Sequence, residues 1–233
     1  MKIAVLSDIH SNLQALEAVI ASLSTYDELV CLGDMVGYGP QPNEVVEKVQ
    51  RLHPAAVLMG NHDNAVVTGD VTDFSAHAAT AIEWTRREIN GANREYLAHL
   101  SSSGRLEREG TPLAMLAMFH GSPRDPLSEY IYPGAPEALY RRLMGIAGAK
   151  VTLLGHTHVP MSYRLNGNVL ANPGSVGQPR DGDCRASYAI LSISESEIAI
   201  EVKRVEYDIE SVANQIVRKG LPTFLAERLY IGM

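Results

Sequence analysis

The chain has 233 residues, 45% hydrophobic and 20% charged, with a net charge of −7; this suits a globular protein with a sizeable core and, with no basic run, argues against nucleic-acid binding. Two cysteines, Cys31 and Cys184, make no disulfide framework, and Cys31 in ELVCLGD reads as a small core hydrophobe of a protein in a reducing compartment. The opening MKIAVLSDIH is broken by Asp8 too early for a signal-peptide core, and no apolar run reaches membrane-spanning length, so the expectation is a cytoplasmic protein away from membranes.

KIAVLSD reads as a buried strand, and LQALEAVIASL as a helix with Ser11 or Asn12 as its N-cap. ELVCLGD, NEVVEKVQRL and AAVLMGN continue as strand, helix and strand, which predicts βαβ units and a parallel core. Residues 64–111 leave that rhythm. DFSAHAATAIEWTRREI and NREYLAHL predict two helices, followed by a Ser/Gly/charged link, and together they read as an insertion capping the sheet and its pocket. PLAMLAMFHGS then reads as a strand, APEALYRRLMGIAG as a helix and KVTLLGHTH as a strand. From Met161 the pattern becomes antiparallel: a hairpin turns at Asn166-Gly167, a type I′ pair, and ASYAILSI and EIAIEVKRVEY alternate as two further strands. DIESVANQIVRKG is a helix before a short tail, and no repeat or linker divides residues 1–233, so one domain with an insertion is expected.

The strand ends carry an unusual load. Asp8-x-His10, Gly33-Asp34, Gly60-Asn61-His62-Asp63, His120-Gly121 and Gly155-His156-x-His158 put three aspartates, an asparagine and five of the eight histidines at the ends of successive apolar runs. Residues i and i+2 of a strand share a face, so His156 and His158 point to one side. A folding requirement alone would not tip buried strands with polar residues, and in open α/β sheets the region beyond the carboxyl ends is where ligands bind. Imidazole and carboxylate donors suit first-row divalent metals, and the absence of thiolate ligands argues against a structural zinc site.

The motifs SDIHSN, GDMVGYGP, GNHD, HGS, GHTH and NPGSVGQPRDGD, spanning residues 1 to about 190, resemble the calcineurin-like metallophosphoesterase superfamily, in particular its small bacterial single-domain branch. The resemblance implies an α/β (α+β) sandwich of two packed mixed β-sheets flanked by helices, with a dinuclear metal centre. By analogy Asp8, His10 and His158 would hold one metal, Asn61, His120 and His156 the other, and Asp34 would bridge both. Manganese is the leading expectation for the pair, with Fe²⁺, Ni²⁺, Co²⁺ or Zn²⁺ as alternatives. The function implied is hydrolysis of phosphate mono- or diesters by direct attack of a metal-bridging hydroxide. His62 would contact the phosphoryl group or protonate the leaving oxygen, with Asp63 orienting it.

Arg180 in the Gly/Pro-rich loop and Arg124 just past His120 are candidates for gripping phosphate. Asn172 and Ser175 are candidates for supporting the metal site. Where protein Ser/Thr phosphatases of the superfamily follow the bridging aspartate with Asp-Arg-Gly, this chain has Gly37-Tyr38-Gly39, which weighs against that activity. Nucleoside polyphosphates as substrate, a protein phosphatase with the same core, and a non-catalytic metal-binding scaffold stay as alternatives. The expected partner is a small phosphate ester or nucleotide, with a homo-oligomer left open.

Overall fold

The computed structural model describes residues 1–106, 116–194 and 197–233. Two five-stranded mixed sheets form the centre of the fold. In the first, β1 (Lys2–Leu6) pairs in parallel with β2 (Glu28–Cys31), which pairs in parallel with β3 (Ala56–Val57). On its other side β1 runs antiparallel to β9 (Ala186–Ile193), and β9 to the edge strand β10 (Ile198–Val205). The second sheet has the order β4 (Ser103–Leu106), β5 (Leu116–Phe119), β6 (Val151–Leu154), β8 (Asn168–Asn172), β7 (Met161–Leu165).

Both faces of the central strands are buried, which explains their unbroken apolar sequences. Along β1, Ile3 and Val5 join Val30 and Leu32 against Met118, Leu153 and Val169 of the second sheet. Ala4 and Leu6 point the other way, into the core formed with α1 (Leu13–Ser22) and α2 (Pro42–Arg51). Asn12 caps α1, its side chain accepting the Ala15 N–H at 3.0 Å. On the outer face of the second sheet, α6 (Glu137–Ala147) packs Tyr140, Leu143 and Met144 on Leu154 and Leu170. The result is a helix–sheet–sheet–helix sandwich.

Several expectations need correction. Asn61, read as the end of a strand, instead opens α3 (Asn61–Thr68), whose first turn also holds His62 and Asp63. The predicted helices α4 (Ala76–Glu88) and α5 (Gly91–Ala98) follow, and Ile82, Ile89 and Leu97 join the core that also holds Ala4, Leu6 and Leu29 of the first sheet and residues of α1 and α2. The expected link contains β4, paired antiparallel with β5; its other residues, 107–111, and the start of PLAMLAMFHGS lie outside the described residues. The region after Met161 is not wholly antiparallel, since β8 pairs in parallel with β6. Its hairpin turns as expected, with φ of 49° at Asn166 and 76° at Gly167.

The tail is also more structured than expected. Beyond α7 (Ile209–Arg218) come α8 (Thr223–Glu227) and a 3-10 turn at Arg228–Tyr230. Val212, Ile216, Leu225 and Leu229 from this segment pack with Tyr38, Ala78 and Trp84. Among the described residues no helix is long and apolar enough to cross a membrane.

Candidate metal centre

The loops beyond β1, β2, β5 and β6 and the start of α3 converge at one end of the sandwich. Their main chains are zipped together: Asp8 N–H donates to Gly33 O at 3.0 Å, His10 N–H to Asp34 O at 2.9 Å, and Gly155 N–H to His120 O at 2.8 Å. Asp8, His10, Asp34, His156 and His158 all have φ between 50° and 68°, the left-handed region that L-residues seldom occupy. Strain of this kind is sustained only where the surrounding structure dictates it, and it concentrates at functional sites. The backbones also approach closely: a Cβ on Gly60 would land on the Asp34 carboxylate.

The side chains gather into two groups that share Asp34. Donor atoms of Asp8, His10, Asp34 and His158 lie within 4.8 Å of one another, as do those of Asp34, His120 and His156. His10 Nε2 and His120 Nε2 each lie 3.5 Å from Asp34 Oδ2, and His158 Nε2 lies 3.3 Å from Asp8 Oδ1. Asn61 Oδ1 is 3.1 Å from His120 Nε2, which puts it beside the second group.

Main-chain carbonyls orient three of these imidazoles. Nδ1–H of His10 donates to Val36 O (3.0 Å), that of His120 to Leu32 O (2.8 Å) and that of His158 to Gln178 O (2.5 Å). This fixes the tautomers of His10 and His158, leaving bare Nε2 lone pairs 3.0 Å apart. His156 donates Nε2–H to Ser128 O at 3.2 Å, which frees Nδ1. Asp8 Oδ1 and Asp34 Oδ2 are buried with no hydrogen-bond partner. Buried orphan carboxylate oxygens and opposed lone pairs are costly by themselves and fit divalent cations shared among them. The residues present therefore suit a two-metal site.

The electrostatics show the same strain. Burial keeps His10 and His158 neutral, their pKa values far below the ordinary histidine value, and lowers His156 to about 3. Burial also raises Asp8 to about 7. Asp34 is different: burial opposes its ionisation, but His120, His62 and His10 together outweigh it and hold the carboxyl far below the usual range. Burial likewise opposes the charge on His120, but the attraction and hydrogen bonding of Asp34 together with Asp8 and the Leu32 carbonyl raise it to about 9.

His62 sits next to the shared carboxylate, its N–H donating to Asp34 Oδ1 at 2.8 Å. Its ring lies 4.3 Å from Tyr38 and 4.8 Å from His10, and burial lowers its pKa to about 4, so it is neutral near pH 7. Nδ1 is buried without a partner. Asp63 does not orient this ring as expected. Its carboxylate accepts the N–H groups of Gly60 (3.0 Å) and Val36 (3.1 Å), capping α3 and tying it to the loop after β2.

A cleft of about 460 Å³ opens beside these groups, lined by Asn61, His62, Tyr130, His156, Arg180 and Arg228 among others. From the predicted insertion Asn64 and part of the 70–78 segment, including Phe74 and Ser75, reach it. Arg180 is therefore at the site, hydrogen-bonded to Gln178 Oε1 (2.9 Å) and Tyr38 Oη (3.2 Å). Arg124 is not; it points to Glu129 and forms an ion pair there. Asn172 holds Gly155 O (2.6 Å) and Thr157 Oγ1 (3.1 Å), and Ser175 Oγ donates to Asp8 O (2.7 Å), so both brace the main chain around ligand residues. Two residues without a sequence signal join the site: Tyr130, its ring stacked 3.7 Å from His156, and Arg228.

The domain of the calcineurin-like phosphoesterase superfamily matches residues 1–196, and the chain belongs to that superfamily. Over its full length it is similar to a metallophosphoesterase from Sphaerobacter thermophilus, with a TM-score of 0.85 and 35% identity, covering 100% of this chain and 99% of that one. An uncharacterised protein of Methanocaldococcus jannaschii is 37% identical across 99% of this chain and 98% of its own. The phosphodiesterase YfcE of Escherichia coli is 26% identical across 82% of this chain and 87% of its own.

Proposed function

We propose that the chain is a phosphoesterase that uses two divalent metals to hydrolyse phosphate mono- or diesters of small molecules. The observation that carries this reading is the shared position of Asp34, whose unpartnered Oδ2 stands 3.5 Å from both His10 and His120, between two clusters of buried donors. Asp8, His10 and His158 would hold one cation, Asn61, His120 and His156 the other, and Asp34 both. Manganese is the proposed native metal, since the donors are nitrogen and oxygen without sulfur. When bound, the metals would supply Lewis acidity to phosphoryl oxygens and lower the pKa of a coordinated water.

The chain's own groups account for the rest. His62, neutral and at the cleft wall, offers one N–H to a phosphoryl or leaving-group oxygen, and the hydrogen bond from its main chain to Asp34 fixes its distance from the centre. Tyr130 and Tyr38 supply apolar faces for the organic part of the ester. Arg180 supplies positive charge, held in place by Gln178 and Tyr38.

The test is hydrolysis of a panel of phosphate monoesters, diesters and nucleotides by protein loaded with Mn²⁺ and by chelated protein. Metal-dependent turnover of at least one ester is the expected result. A protein that takes up two metals and cleaves none of them would instead be a metal-binding scaffold.

A further inference from the structure

The C-terminal segment lies beyond the matched domain, yet it contributes Arg228 to the cleft. Its packing on Tyr38 and Trp84 delivers Arg228 to the cleft lining beside Arg180. The Arg180 Cζ lies 5.6 Å from the centre of the Tyr38 ring, and the Arg228 Cζ lies 6.0 Å from it and 5.4 Å from that of Phe224. Arg228 Nε–H donates to Met233 O, while Arg180 Nε is buried without a partner.

No Asp or Glu side chain pairs with either guanidinium among the described residues, whereas Arg124, Arg185 and Arg204 each have such a partner. Asp70 and Asp73 line the cleft from the 70–78 wall, where Asp70 is bonded to Thr72, and neither pairs with the arginines. Burial, with the Arg180 charge adding to it, lowers Arg228 to about 10. Two positive charges are thus held against one tyrosine ring at a partly desolvated wall, with no Asp or Glu side chain paired to either among the described residues. Such an arrangement is unfavourable until an anion enters.

We propose that Arg180 and Arg228 form a second anion subsite, which receives a phosphate group carried on the leaving part of the substrate. Two guanidinium charges match a phosphate monoester dianion, whereas a carboxylate would balance only one of them. The Tyr38 ring against which both arginines lie packs on His62 at 4.3 Å and on His10 at 4.7 Å, so the subsite adjoins the metal centre and can take a second phosphate beside the reacting one. The substrate class is then a bisphosphorylated small molecule, a refinement that rests on the phosphoesterase reading.

Matched esters test it: α,ω-alkanediol bisphosphates of two to six carbons against the corresponding monophosphates, followed by phosphate release in wild-type protein, Arg228→Gln and Arg228→Lys. The wild type should favour a bisphosphate of suitable length. Arg228→Gln should lower the bisphosphate/monophosphate ratio of kcat/KM by about 10- to 100-fold, and Arg228→Lys should retain part of it. Calorimetric binding of alkane-α,ω-bisphosphonates against alkylphosphonates reads the same preference without turnover. Equal losses on both esters would mean that Arg228 holds the reacting phosphate or only supports the fold, and would overturn the subsite. An unchanged ratio would overturn it as well. If the wild type cleaves no ester, the phosphoesterase reading fails, while the binding preference still decides the subsite.

Discussion

His10 and His158 face each other Nε2 to Nε2 across 3.0 Å, and the Nδ1–H of each is committed to a main-chain carbonyl. Neither ring can turn a proton toward the other without giving up its carbonyl. A cation between them removes the repulsion, so the metal-free protein should be markedly less stable than the loaded one. Purified protein should bind up to two divalent metals per chain by elemental analysis, and metal at 100 times its Kd should add about 2.7 kcal/mol of stability per site. Asp34→Asn should weaken both sites, and Asp8→Asn mainly one. Folded protein that takes up no metal would refute the assignment.

Replacing His62 with Ala or Asn should leave metal content near that of the wild type, because the seven ligand positions remain. Turnover should fall by about 10²–10⁴-fold if the ring acts as general acid. In that case the loss shrinks for good leaving groups such as p-nitrophenolate. Were the ring only to hold phosphoryl oxygens, the loss would be similar for every leaving group. Full turnover on all esters would remove His62 from the reaction.

Gly60→Ala should be among the most damaging single-methyl changes in this chain. The added Cβ meets the Asp34 carboxylate and its main-chain N, so either the shared ligand or the start of α3 must shift. A loss of about 2–4 kcal/mol in denaturant titration, with reduced metal uptake, is expected. Gly145→Ala on α6 makes the control, since its Cβ would meet nothing within 4 Å. Equal stability of the two variants would contradict the close approach seen here.

Asp63→Asn removes one of the two acceptors that cap α3 and should cost about 1–2 kcal/mol in chelated protein at acidic pH. Burial, reinforced by the Asp34 charge, raises Asp63 to about 7 from an ordinary value of 3.8. The folded wild type therefore binds more protons than the unfolded chain between those values, and its stability from this group falls as pH rises through the window. The variant, which cannot ionise, escapes that loss. The gap in Tm between the two proteins should thus narrow from pH 4 to pH 7.5. A gap that widens would reverse the sign of the Asp63 shift.

The proposed ligand positions are legible in the sequence because they break a physical rule there. Buried parallel strands read as apolar runs, and polar tips such as Asp8, Asp34 and His156 stand out against them without any knowledge of the fold. The start of α3 is harder to see, since Gly-Asn-His-Asp also reads as a turn; Asp63 at the third helical position is the capping signal that distinguishes the two. β4 is hidden because Ser-Gly-Arg-Leu has neither β-branched residues nor clean alternation, and its place is set by pairing with β5. Arg124 and Arg180 look equivalent in sequence, and only Glu129 on one side and Gln178 with Tyr38 on the other separate them. Arg228 carries no local signal: the long-range packing of α7 and α8 on Tyr38 and Trp84 brings it to the cleft.

The left-handed backbone at five of the ligand residues also limits how such a site can change by descent. Asp, Asn, His and Gly are the residue types that accept this conformation at low cost, and the positions are occupied by Asp and His alone. Branched or bulky replacements would damage the fold as well as the chemistry and be lost together with it. Substitutions such as Asp8→Asn or His158→Asn keep the main chain content while removing charge or a donor. Such a site can therefore lose its donors one at a time without straining the main chain, and the price of each loss is the stability that the bound metal would have added.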